Sequence, residues 1–375
     1  MEVSAFTTAR PQARAGRAAN AWVWARRTAI LTGGLFLFVG ALQLMKTGAA
    51  ALDILEPGSI LVENAASTLG LGWLGAVVML SGSPMAATSL TLVAAAEERR
   101  SGLSEIEGFT MVMGSRLGAS FVVLLVAVLY ALRAGRGHRR APVGTAVLAL
   151  TATAVVYVPA TALGAALLSW GPFASLELGF PSAFVDLIDL AYGRLTETAE
   201  DLPAAVVFLA GLGILLVAFK LIDLALPALD DAAVARRPDW LRRKWPMFAL
   251  GAGIGLVTMS VSVSLSLLVP LVAKKVVRRE FILPYIMGAN VTTLGDTLLA
   301  AFALDSPAAV RVLLAALLAA TAVSLAVLAF VYRPVWGALW DFQRAVTASR
   351  ARLGLFTAGV LLLPVLAIAV APLLG

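Results

Sequence analysis

Nine stretches of this chain run apolar for ~20 residues or more, the length of helix that crosses the hydrocarbon core of a bilayer. They cover 28–48, 69–96, 106–132, 143–169, 204–228, 247–273, 281–304, 309–332 and 354–374. In lipid the backbone finds no water to bond, so a spanning segment must be a helix or part of a closed barrel. These lengths suit helices, and the expected fold is an all-α polytopic membrane protein. Mean hydropathy is +0.92, and only 14% of residues are charged, too few to cover a soluble surface. The net charge of +7 sits in short loops between apolar runs. That placement marks topology signals and not a nucleic-acid surface. There is no cysteine and one histidine, His138 in the basic loop RAGRGHRR. Disulfides, zinc or haem sites and Ser-His or Cys-His catalysis are therefore not expected. The chain reads as a non-enzyme with no resident cofactor and with the lipid bilayer as its surroundings.

Loop charge predicts orientation, because cytoplasmic loops favour Lys and Arg. Basic loops are 133–140, 229–245, 274–280 (KKVVRRE) and 333–352, whereas 170–203 carries Glu177, Asp186, Asp189, Glu197, Glu200 and Asp201 against Arg194 alone. If all nine runs crossed, the two basic loops flanking 247–273 would lie on opposite sides. The conflict disappears if 247–273 enters and leaves from the cytoplasm and its counterpart 69–96 does so from outside. The expectation is seven spans plus two re-entrant hairpins, arranged as two inverted repeats. Residues 1–27 form a basic cytoplasmic tail, 28–169 the first repeat with hairpin 69–96, and 170–203 an extracytoplasmic acidic loop. Residues 204–332 form the second repeat with hairpin 247–273, and 333–375 a cytoplasmic linker and an extra closing span. The N-terminus is then cytoplasmic and the C-terminus extracytoplasmic, in the plasma membrane of a bacterium.

An internal repeat supports this division. Residues 112–120 read VMGSRLGAS and 286–294 read IMGANVTTL, so Met113-Gly114 and Met287-Gly288 lie 174 positions apart, as do Lys46 and Lys220. Repeated halves of a membrane protein commonly enclose a central site. Each hairpin places small polar residues at its centre: Ser81, Ser83, Thr88 and Ser89 in or near SGSPMAATS, and Ser260, Ser262 and Ser264 in MSVSVSLS. The alternation SVSVSLS suggests a broken or extended turn. Hydroxyls there could replace water around Na+, or could simply bond to their own helix carbonyls.

Arg116 occupies the position matching Asn290. A charge at membrane depth costs ~2.5 kcal/mol or more and often marks a pathway or a paired site. Arg116 could contact an anionic substrate, stand in for a coupling cation, or lie shallow and snorkel to the interface. Ser115 and Ser120 flank it in the same motif. Asp296 is the candidate carboxylate for a cation or proton, with partnership to a buried arginine such as Arg116 as the alternative. Lys46 is expected to snorkel at its helix end.

The order MSVSVS at 259–264, then MGANVTT at 287–293, resembles the type II sodium/phosphate cotransporter family and its bacterial relatives. That family pairs a QSSS-type motif with a GANIGTT-type motif in each of two inverted repeats. SGSPMAATS at 81–89, MGSRLGAS at 113–120 and GGLFLFVGALQLM at 33–45 extend the resemblance over residues 30–330. It implies sodium-coupled uptake of inorganic phosphate by alternating access. It also implies that Ser260, Ser262, Asn290, Thr292 and Thr293 are ion or substrate contacts, with transient Na+ at Ser260, Asn290 and Thr292. Met259 and Met85 stand where the family has its glutamines, and Arg116 where it has Asn. Two alternatives follow from these departures. One is a symporter of another small anion, coupled to Na+ or protons. The other is a non-transporting receptor or scaffold that kept the fold.

Overall fold

The computed structural model describes residues 11–49, 61–99, 102–133, 140–176, 182–225, 243–261 and 279–373, with a few single positions between them. Among these residues there is no strand. The helices are α1 (Pro11–Ala49), α2 (Ala65–Met79), α3 (Gly82–Arg99), α4 (Glu105–Ala119), α5 (Phe121–Arg133), α6 (Arg140–Ser169), the short α7 (Gly171–Ala174), α8 (Ser182–Glu200), α9 (Ala204–Ala225), α10 (Lys244–Thr258), α11 (Ile282–Thr292), α12 (Gly295–Ala303), α13 (Pro307–Ala326), α14 (Tyr332–Thr347) and α15 (Arg350–Val370).

Seven helical stretches are long and apolar enough to cross a membrane: Trp22–Ala49, Glu105–Leu129, Pro142–Ser169, Ala204–Ile222, Ile282–Ala303, Pro307–Thr347 and Arg350–Leu373. They coincide with the seven expected spans, so the chain is an all-α polytopic membrane protein. The other two apolar runs begin with helices of 15 residues each, α2 and α10.

Local signals set the helix ends. Asn64 caps α2, its Oδ1 accepting from the N–H groups of Ala66 and Ser67, while its own N–H donates to Ser67 Oγ. Ser104 and Glu107 form the same reciprocal box at α4, satisfying donors that a helix start leaves free. Ser306 caps α13 ahead of Pro307, where a missing N–H costs nothing. At the other end, α2 and α10 each stop on a non-glycine residue in the left-handed region, Leu80 (φ 52°) and Met259 (φ 46°). Such residues are uncommon, and here each ends a short helix.

These turns differ in place from the sequence expectation. The first bend is at Leu80-Ser81, so Ser83 lies inside the first turn of α3. The second is at Met259-Ser260, and Val261 and Ser264 beyond it are helical, not extended. A left-handed residue ends a helix within one position, and residues just beyond it are free to start another. Ser262 lies outside the described residues.

Other boundaries shift as well. The basic tail is helical from Pro11 onward and merges with the first span. The acidic loop contains α8, which packs Ile188 and Tyr192 inward and leaves Asp186, Asp189 and Glu197 in the open. Tyr192 donates to the carbonyl of Phe36 on α1 at 2.7 Å. The expected linker after residue 332 is the amphipathic helix α14, continuous with α13 through a π-helical turn at Val327–Val331. That turn leaves the Leu328 carbonyl open to Lys244, which donates to it at 2.5 Å.

Matching contacts recur along the chain. Gly72 of α2 lies against the Met111 carbonyl of α4, and Gly114 of α4 against the Leu69 carbonyl of α2. Gly251 of α10 lies against the Tyr285 carbonyl of α11, and Gly288 of α11 against the Phe248 carbonyl of α10. Missing side chains let backbones approach closely in lipid, and each glycine here does so on a facing carbonyl. Helices α4 and α11 then end after Ala119 and after Thr292, within one residue of each other at the 174-residue offset.

Helices α1 and α9 pack along their lengths and run antiparallel: Gly34 meets Ile222, Gly211 meets Met45, and Gly48 meets Phe208. Phe38 and Phe219 cross edge to face at 5.3 Å. The α1–α9 contacts are self-matching at the offset of 174, since moving Gly48 and Phe208 by that step gives Ile222 and Gly34.

Candidate functional site

Arg116 lies on α4 and is 0% exposed. It sits near the middle of the span Glu105–Leu129, so the snorkelling alternative does not hold. Its neighbours belong to the turn between α11 and α12. Nη1 donates to the Thr293 carbonyl at 3.3 Å, and Nη2 donates to Thr297 Oγ1 at 2.5 Å. Asp296 Oδ1 is 4.0 Å from Nη2.

Thr297 joins the two charges. Its hydroxyl accepts from Arg116 and donates to Asp296 Oδ1 at 2.9 Å, and its backbone N–H donates to the same oxygen at 2.6 Å. An arginine and a carboxylate thus neutralise each other where two half-length helices meet. Pairing is what makes such burial tolerable, because a lone ion in this setting costs several kcal/mol. The arrangement agrees with the alternative that gave Asp296 a buried arginine as partner. It weighs against Arg116 alone as an anion receptor, since its charge is already balanced.

Three buried polar atoms of this region have no hydrogen-bond partner: Arg116 Nε, Asp296 Oδ2 and Asn290 Oδ1. Ser83, on the first turn of α3, stands beside the Asp296 carboxyl group. Groups left open inside a packed membrane protein mark capacity for a ligand or proton.

A second cluster abuts the first. Asn290 Nδ2 is 3.2 Å from Thr153 Oγ1 on α6, and Tyr157, one turn along, donates to the Asn290 carbonyl at 2.9 Å. The Tyr157 hydroxyl is within electrostatic range of both Arg116 and Asp296. Thr153, Tyr157 and Thr297 were missed from sequence. The signal for the first two was a pair at i, i+4, which shares one helix face, within a span that also carries Thr145, Thr151 and Thr161.

Four of the expected hydroxyls bond to carbonyls three or four residues back. Ser115 donates to Val112 O, Ser120 to Leu117 O, and Thr88 to Pro84 O. Thr293 donates to Asn290 O at 3.4 Å. Ser89 instead ties α3 to α4 through Gly108 O at 2.7 Å. Ser81 lies at the bend and is half-buried. Ser264 stands beside Tyr285, whose hydroxyl donates to its carbonyl at 3.0 Å. Thr292 donates to Ala252 O on α10, whereas Asn290 faces α6. Positions two apart on a helix diverge, so the side chains of Asn290 and Thr292 meet different helices.

Lys46 also departs from expectation. It donates to Leu304 O at 3.2 Å, and Gln43 donates to Ala303 O at 2.9 Å. Both cover carbonyls at the C-terminal end of α12, where cations are favoured. At one end of the molecule Arg311 grips Glu105 and donates to Leu176 O at 3.1 Å. Among the described residues no cluster of three or more His, Cys, Asp or Glu side chains could hold a metal.

Comparison with known protein families, characterised proteins and solved structures gives no match to this chain.

Proposed function

We propose that the chain is a secondary active transporter that moves a small anion by alternating access, with inorganic phosphate as the substrate and Na+ as the coupling ion. The observation that carries this reading is the buried Arg116–Asp296 pair at the junction of α11 and α12, with unpartnered polar atoms around it. Ionisable groups inside a membrane protein usually serve a pathway, and broken helices are where transporters place their sites.

The contact pattern supports an inverted-repeat reading. Antiparallel helices whose contacts are self-matching at a fixed offset are related by a two-fold axis perpendicular to both. If α1 and α9 cross the bilayer, that axis lies in its plane, and the halves are inverted. Helices of 15 residues reach ~22 Å, short of the ~30 Å hydrocarbon core. This favours α2 and α10 as arms of re-entrant hairpins. In this reading the halves rock against each other around the junction, and the loop charges orient the protein in a bacterial plasma membrane with its N-terminus inside.

The choice of phosphate and sodium comes from the resemblance of GANVTT and its preceding serines to the cotransporter motifs. A symporter of another small anion, driven by Na+ or protons, uses the same geometry. One observation favours a non-transporting receptor or scaffold instead: the hydroxyls of Thr88, Ser115 and Ser120 are already bonded to nearby carbonyls of their own segments. Uptake of labelled phosphate into proteoliposomes, with and without an inward Na+ gradient, separates these readings. Gradient-driven accumulation is the expected result. Accumulation of other oxyanions alone would reassign the substrate, and failure to accumulate any would leave the scaffold.

A further inference from the structure

The guanidinium of Arg116 occupies a place built for a cation. Three oxygens from the break between α11 and α12 and the first turn of α12 face it: the Thr293 carbonyl, Thr297 Oγ1 and Asp296 Oδ1. Thr293 is the C-cap of α11, so its carbonyl belongs to the negative end of that helix. Asp296 adds a carboxyl group whose second oxygen has no hydrogen-bond partner, with Ser83 near the same group. Backbone carbonyls at a break between half-helices hold Na+ in transporters of broken-helix design, and here a hydroxyl and a carboxyl group from the first turn of α12 stand beside one.

The other half lacks this set. The offset of 174 carries Asp296 to Val122 and Thr297 to Val123, neither of which can ligate a cation. It carries Arg116 to Asn290, which faces Thr153 and not a charge. The acid and hydroxyl thus occur in one repeat, and the balancing cation is supplied by the other.

We propose that the turn Thr293–Thr297 is a monovalent-cation cage whose resident cation is the Arg116 side chain. The arginine is a covalently tethered substitute for a free ion, and removing it opens a Na+ site that the native protein does not have. This deepens the proposed function, because it concerns the coupling ions of that reading: native transport needs one free cation fewer than an Arg116 variant.

The test is melting of the purified full-length protein in detergent, without gradient or substrate. Arg116→Met removes the charge and keeps most of the stem. Its apparent Tm should rise by about 5 °C between choline chloride and an equal, ~100 mM, concentration of NaCl, as expected for a ligand well above its Kd. Guanidinium at ~10 mM should also raise it, by refilling the same space. The native protein and the Arg116→Met/Asp296→Asn double variant should respond to neither. An Arg116→Met variant indifferent to both ions overturns the inference, as does a native protein that gains as much from Na+. If Arg116→Met folds in neither Na+ nor guanidinium while the double variant folds, the cage cannot be refilled and the inference also fails. A protein that transports nothing can still pass this test, and a competent transporter whose variant ignores Na+ loses only the cage.

Discussion

Arg116 and Asp296 face each other at 4.0 Å across the two halves of the chain, with the hydroxyl of Thr297 bridging them. Both residues are buried, so neither charge has water to fall back on. Each is tolerable because of the other.

The first prediction concerns that mutual dependence. Asp296→Asn should destabilise the protein by about 3–5 kcal/mol, since it leaves a buried guanidinium uncompensated. Arg116→Met should cost a similar amount in Na+-free buffer. The double variant should be more stable than the sum of the two losses implies. Unfolding in mixed micelles measures the cycle, and strict additivity would rule out a coupled pair.

Thr297→Val keeps the shape of the side chain and removes its hydroxyl. The Arg116 Nη2 donor and the Asp296 Oδ1 acceptor both lose a partner, so a loss of about 1–3 kcal/mol is expected. Thr297→Ser should restore most of it. Equal damage from both substitutions would point to packing and not to the bridge.

Close backbone approach makes four glycines irreplaceable. Alanine at Gly72, Gly114, Gly251 or Gly288 would drive a methyl group into a facing carbonyl, at a cost of about 1–3 kcal/mol or more. Nothing lies near Gly213 or Gly253, where alanine should be neutral or slightly stabilising through helix propensity. Folded yield by fluorescence-detected size exclusion reads both groups, and the prediction fails if they behave alike.

Topology can be tested at exposed residues beside the two hairpins. Ser104 and Glu280 are both exposed. In the inverted-repeat reading, Ser104→Cys should react with an impermeant maleimide from outside intact cells, and Glu280→Cys only after lysis. The absence of native cysteine keeps the background clean. Labelling of both from one face would remove the inversion.

The seven spans were legible because apolar length is a property of the segment. A run such as 143–169 must close its own backbone hydrogen bonds wherever it packs. The helix break after Thr292 was not legible, because 281–304 reads as one continuous apolar run. Nor was helix α8, because six acids in 170–203 resemble a solvated loop until α1 offers Phe36 and Gly40 to Tyr192. Lys46 was read as snorkelling, since nothing local announces that α12 ends beside it.

The site divides in the same way. The presence of Arg116 within an apolar run, its match to Asn290, and the carboxylate of Asp296 were all written in the chain. Whether that arginine met lipid headgroups, substrate or a carboxylate was not. Its partner lies on a different helix in the other half of the chain, and their proximity exists only once α4 and the α11–α12 junction have packed. Hydropathy acts on each segment alone, whereas the cost of a buried charge is set by whatever the fold brings within a few ångströms of it.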